Sequence, residues 1–197
     1  MSHSPLSLRR QLSLITLPVV LAAAALVPTH RAGAQDAIDA KSAATMRQEY
    51  MADLDTLHTK FMALANAIPE DKYSWRPASG VRSISEALMH VATEWYFWVP
   101  GSVGGGPPAD FGTPRETIAA KEKISAKKDV IAELNKSWAH SQAQLAASDP
   151  AKLTGAYKPW GFSLPKASYA MAGDLHEHLG QMISYARAVG VTPPWSK

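Results

Sequence analysis

Between Tyr50 and Ile68, apolar residues fall at Tyr50, Leu54, Leu57, Phe61, Leu64 and Ile68, alternately four and three apart. No other feature constrains the fold as tightly. The spacing lays one apolar stripe along a helix and requires other helices to cover it. It predicts a first helix from about Asp36 to Ala67, ended by Pro69. A second helix opens at Ser83-Ile84-Ser85-Glu86, a capping-box pattern, and carries a stripe through Ile84, Ala87/Leu88, Val91, Trp95 and Trp98. The segment "PGSVGGGPPADFGTP" breaks the chain, and Arg115 to Glu122 reads as a short helical turn. A third main helix, about Ala126 to Ala147, turns Val130, Ile131, Leu134, Trp138 and Leu145 inward. The fourth runs from about Pro165 to Val189 and is closed by Gly190, then Pro193-Pro194. No segment has a strand period. The expected fold is all-α: an up-and-down four-helix bundle with an additional short helix between helices two and three.

The N-terminus reads differently from the rest. Arg9 and Arg10 precede an apolar run from Leu12 to Val27, and Ala32-Gly33-Ala34 is a small-x-small site. That order is an export signal, because the run is short for a membrane span of about 20 residues and Pro18 interrupts it. Residues 1–34 are therefore expected to be a signal peptide and 35–197 a single helical-bundle domain. The leader holds Arg9, Arg10 and Arg31 and no acid, so the 20 basic and 17 acidic residues of the chain become 17 of each once it is removed. The basic pI of about 9.1 thus belongs to the precursor. No charge surplus remains to attract nucleic acid or an anionic membrane, so neither partner is expected, and a periplasmic location is. The chain has no cysteine, so the exported domain must rest on its core rather than on disulfides.

Chemistry concentrates in "GDLHEHLGQM", residues 173–182. Successive helical residues turn by about 100°, which puts Asp174 and His178 on one face and His176 about 160° from His178. Asp174, His178, Gln181 and Tyr185 form a polar stripe beside the apolar one of Ala172, Leu175, Leu179, Met182, Ala186 and Val189. On helix two, His90 and Glu94 repeat the four-residue spacing. Facing helices that each offer imidazole and carboxylate can converge on one ion. The set His90, Asp174 and His178 is the candidate metal site. The same spacing also serves hydrogen-bonded polar residues at a core edge.

The segments "YSWRPASGVRSISEALMHVA" and "DLHEHLGQMISYARAVGVTPPWS" resemble the DinB/YfiT-like family of metal-dependent enzymes. The shared pattern is Trp-x-Pro, Ser-Ile ahead of a helix-two His, and a helix-four His followed by Gly-Gln and a Tyr-Ala-Arg run. The resemblance covers nearly the whole of 35–197. It implies a four-helix bundle that binds zinc or nickel through three histidines, one on helix two and two on helix four. By position His90 is the first and His178 the last. Where the commoner pattern has the remaining His, this chain has Asp174, and a two-His, one-carboxylate set also suits iron or manganese. Characterised members of the family include thiol-dependent transferases and hydrolases.

Glu94 reads as a base, a fourth ligand or a supporting residue, Gln181 as a residue orienting a ligand, and Tyr50 as a pocket-lining or core tyrosine. His58 and His140 lie off the apolar stripes and are expected to be solvated. Trp95, Tyr96, Phe97 and Trp98 are too dense for one buried stripe, so part of the group, Trp95 included, is expected to wall a pocket or a homodimer face. The "GGGPP" loop reads as a lid or a plain connector. Two function classes follow: a divalent-metal-dependent hydrolase or transferase of a small molecule, or a non-catalytic exported protein that binds a metal or small molecule. Export away from cytosolic thiols favours hydrolysis. Cleavage after Ala34 predicts that the secreted protein has an intact mass starting at Gln35; retention of the precursor mass in the membrane fraction would contradict it.

Overall fold

A computed structural model describes residues 38–154 and 158–196. The leader and its cleavage site lie outside the described residues. Five α-helices appear among these residues: α1 (Ala40–Ala67), α2 (Ile84–Gly101), α3 (Pro114–Lys121), α4 (Lys127–Ala147) and α5 (Leu164–Ala188). Short 3₁₀ turns punctuate the connections, and no described residue is in a strand. No described helix is long and apolar enough to cross a membrane.

The caps explain most of the boundaries. Asp39 accepts from the Ser42 amide and starts α1, later than the expected Asp36. Ser83 and Glu86 complete their capping box at α2, fixing the helix that carries His90 and Glu94. Gly190, at φ 85°, lets the chain leave α5 with the Val191 amide bonded back to the Ala186 carbonyl at 2.8 Å. Pro100 does not stop α2 as the sequence suggests: it lies within the last turn, followed in the helix by Gly101.

The apolar stripes meet as expected. Leu54, Leu57, Phe61 and Leu64 of α1, Leu88, Val91 and Trp95 of α2, Leu134 of α4 and Leu175 of α5 are fully buried in one core. The order of packing, however, differs from an up-and-down meander. α1 packs on α5 and α4, and α2 on α4 and α5. Lys127, which opens α4, donates to the Asn66 and Ile68 carbonyls at the end of α1, so α1 and α4 are antiparallel. Arg82 before α2 pairs with Glu122 before α4 at 2.7 Å, while His140 and Gln144 near the end of α4 hold Gly106 beyond the end of α2. α2 and α4 therefore run the same way. The connection 102–126, with α3 in it, is long enough to return the chain to its starting end, which the expected meander did not allow for.

Several side chains also differ from expectation. His58 is not solvated: it stacks on Trp138 at 5.0 Å and meets Trp95 edge-on at 5.4 Å. His140 is half-buried and its Nε2–H donates to the Gly106 carbonyl at 2.7 Å, pinning the "GGGPP" segment to α4 as a connector rather than a lid. Trp95 is fully buried against Phe61 and Trp138 and is not among the residues that wall the cleft beside His90 and Glu94. Neighbouring elements supply the cover for both histidines: Trp138 of α4 and Trp95 of α2 for His58, and the connection after α2 for His140.

Removing the Ser83 hydroxyl leaves the Glu86 amide without its acceptor at the start of α2. Ser83→Ala is expected to cost about 1 kcal/mol in chemical denaturation, and a loss below a few tenths would show that tertiary packing alone sets that end.

Candidate metal centre

α2 and α5 pack side by side and bring their polar pairs together. Glu94 Oε1 lies 3.1 Å from His90 Nε2 and 3.1 Å from His178 Nε2, and the two imidazole rings sit 5.0 Å apart at 75°. One donor atom from each of His90, Glu94 and His178 falls within 4.8 Å of the others. Asp174 Oδ2 is 3.9 Å from His178 Nε2, and its side chain is 48% exposed at the rim. The carboxylate between the histidines is thus Glu94, only 2% exposed. The set expected from the sequence, His90, Asp174 and His178, is brought together around it with Asp174 outermost. Both acids are four residues from a histidine, and only their burial tells them apart.

The surroundings fix the ring of His178. Gln181 Nε2 donates to the Tyr185 hydroxyl at 3.0 Å, which turns its carbonyl oxygen toward His178 Nδ1 at 3.2 Å. His178 Nδ1–H therefore donates to Gln181, and Nε2 is the nitrogen left facing Glu94. Tyr185 is held in turn by Trp75, edge-on at 5.4 Å. Gln181 thus links the His178 ring to Tyr185. His176 points away, as its helical phase requires, and meets Asp53 of α1 at 3.1 Å. Tyr50 is buried and its hydroxyl accepts from Ser102 at 3.3 Å. It borders a separate cavity between α1 and α5, not this centre.

The donor set fits a divalent ion. Glu94 Oε2 is buried with no hydrogen-bond partner, an acceptor whose desolvation a cation would offset. Two imidazole nitrogens and a carboxylate oxygen are ligands for zinc, nickel or iron. Without an ion the same groups form a proton-linked pair. Burial would raise the Glu94 carboxyl, but hydrogen bonds from His178 and His90 outweigh it and hold the group well below its usual range. The hydrogen bond to Glu94 pushes His178 up, against burial. Burial and the neighbouring Glu94 charge raise Asp174.

Above the centre opens a cleft of about 390 Å³, walled by Trp98 of α2, Ala170, Met171 and Asp174 of α5, and Trp160 of the α4–α5 connection. Trp98 is the member of the aromatic group that reaches a pocket. Trp160 went unnoticed in the sequence, where it belongs to an aperiodic loop; the flanking Pro159 and Gly161 are the only local signal.

The pair sets a pH dependence for the metal-free protein. A carboxylate with a lowered folded pKa stabilises above its ordinary value and loses that contribution as pH falls through the lowered one. An imidazole with a raised pKa stabilises below its ordinary value and loses that contribution as pH rises through the raised one. The two overlap between the ordinary values of 4.5 and 6.5. In chelator, the stability difference between wild type and Glu94→Gln is expected to be largest in that window and to shrink in alkali. A difference that is flat with pH in denaturation curves would contradict the pairing.

A model of the DinB superfamily matches residues 53–182, which span α1 from its middle to the polar stripe of α5 and include His90, Glu94, Asp174 and His178. No curated protein and no solved structure matches the chain. With helices and no strand among its described residues, and with the family model matched over most of its length, the chain belongs to the DinB superfamily.

Proposed function

We propose that the protein is an exported metal-dependent enzyme that hydrolyses a small molecule, with a divalent ion, zinc or nickel ahead of iron or manganese, held by His90, Glu94 and His178. The observation that carries this reading is the convergence of three donor atoms within 4.8 Å at the floor of a cleft. A divalent ion there supplies Lewis acidity toward an oxygen or sulfur of the substrate.

The remaining work falls to the chain itself. Gln181 and Tyr185 keep the His178 Nε2 lone pair aimed at the centre. Asp174, at the rim and raised by burial and the Glu94 charge, is placed to take and return a proton at the open side. This reverses part of the reading from spacing, where Asp174 was the ligand and Glu94 a base, a fourth ligand or a supporting residue. The support for the reversal is burial: Glu94 is enclosed between both histidines, whereas Asp174 faces solvent.

Elemental analysis of the purified protein tests the assignment. Wild type and Asp174→Asn are expected to carry about one divalent ion per chain, with His178→Ala and Glu94→Gln reduced at least tenfold in affinity. In a screen of small esters, amides and thiol conjugates, Asp174→Asn is expected to lose turnover while keeping its metal. A filled site with no metal-dependent turnover of any of them favours the non-catalytic binder. Loss of metal from Asp174→Asn, with retention by Glu94→Gln, would restore the roles read from the sequence.

A further inference from the structure

One wall of the cleft is built in an unusual way. Trp160 adopts φ 54° and ψ 25°, the left-handed region, and is the sole described residue other than glycine with a positive φ. Gly161 follows at φ 77°. Hydrogen bonds donated by the Gly161 amide to the Lys158 carbonyl at 3.0 Å and by the Phe162 amide to the Pro159 carbonyl at 2.9 Å hold this double turn closed. Its effect is to lay the Trp160 ring over the end of α2, where a methyl placed on Gly101 would touch the indole at 3.5 Å. There it meets Trp98 edge-to-face, with ring centroids 6.2 Å apart at 73°. Both indoles remain substantially in water, Trp98 at 37% and Trp160 at 43% exposure.

A bulky residue held in a glycine-type conformation, with its ring left exposed, does not serve the core; strain of this kind is characteristic of binding sites. We infer that Trp98 and Trp160 form an aromatic subsite, and that the substrate class is a small molecule with a planar aromatic group joined to a compact oxygen-donor head. The inference rests on the metal-dependent reading. The head would meet the centre of His90, Glu94 and His178, and the ring would lie against the two indoles and the Met171 thioether in the same cleft. A cleft of about 390 Å³ accommodates a molecule of that size.

Two hydroxamates with the same chelating head, benzohydroxamate and acetohydroxamate, test this by calorimetry on the metal-loaded protein and on the chelated protein. Wild type is expected to bind benzohydroxamate about tenfold or more tightly than acetohydroxamate, the gain for burying a phenyl group. In Trp160→Gly and in Trp98→Ala the preference is expected to fall to within about twofold, with acetohydroxamate affinity unchanged. Trp160→Gly is also expected to keep or raise Tm, since glycine adopts this φ freely. Equal binding of the two probes by wild type, or a preference that survives both substitutions, overturns the aromatic subsite and leaves the metal centre standing. Failure of acetohydroxamate to show any metal-dependent binding overturns the metal reading, and the subsite falls with it.

Discussion

A single carboxylate organises the site. Glu94 is buried at the α2–α5 contact, and a charge in that position is tolerated only because His90 and His178 both reach one of its oxygens. Withdrawing a partner from such a group typically costs about 3–5 kcal/mol, a large fraction of the 5–15 kcal/mol that holds a domain together. The histidines are therefore tied to the helix packing itself. The capping box at Ser83 sets where α2 begins and hence the height of His90 and Glu94. Trp75, Tyr185 and Gln181 set the ring angle of His178 from the other side.

The two sides of the centre have different characters. The floor is closed and charged, with Glu94 Oε2 buried and unpaired. The mouth is open and apolar apart from Asp174. A cation bound at the floor would satisfy the orphan oxygen and compete with the proton on His178, while the mouth would select what approaches it. The helices α2 and α5 supply the floor and part of the walls, and the α4–α5 connection adds Trp160. Selectivity can thus vary in a loop without disturbing the ligands.

What was legible in the sequence follows from what periodicity encodes. The stripe from Tyr50 to Ile68, the Ser83 box and the Gly190 stop each report a local rule, and the helices lie where those rules put them. The parallel course of α2 and α4 was hidden, because it depends on how the 102–126 connection crosses the molecule and no residue pattern states that. His90 and His178 were legible as one member each of a four-residue pair. The choice between Glu94 and Asp174 was not, since His90–Glu94 and Asp174–His178 have identical spacing and differ only in depth. His58 was misread for a similar reason: its stacking on Trp138 comes from a neighbouring helix, and its own helix gives no hint of it.

The central claim is that His90, Glu94 and His178 together form one metal site. X-ray absorption at the metal edge of the loaded wild-type protein and of Glu94→Gln tests it most directly. Two imidazoles and at least one oxygen ligand at about 2.0–2.2 Å are expected in wild type, with the two-imidazole signature weakened or lost once Glu94 is neutral. A single imidazole in wild type, or a first shell that Glu94→Gln leaves unchanged, would contradict it.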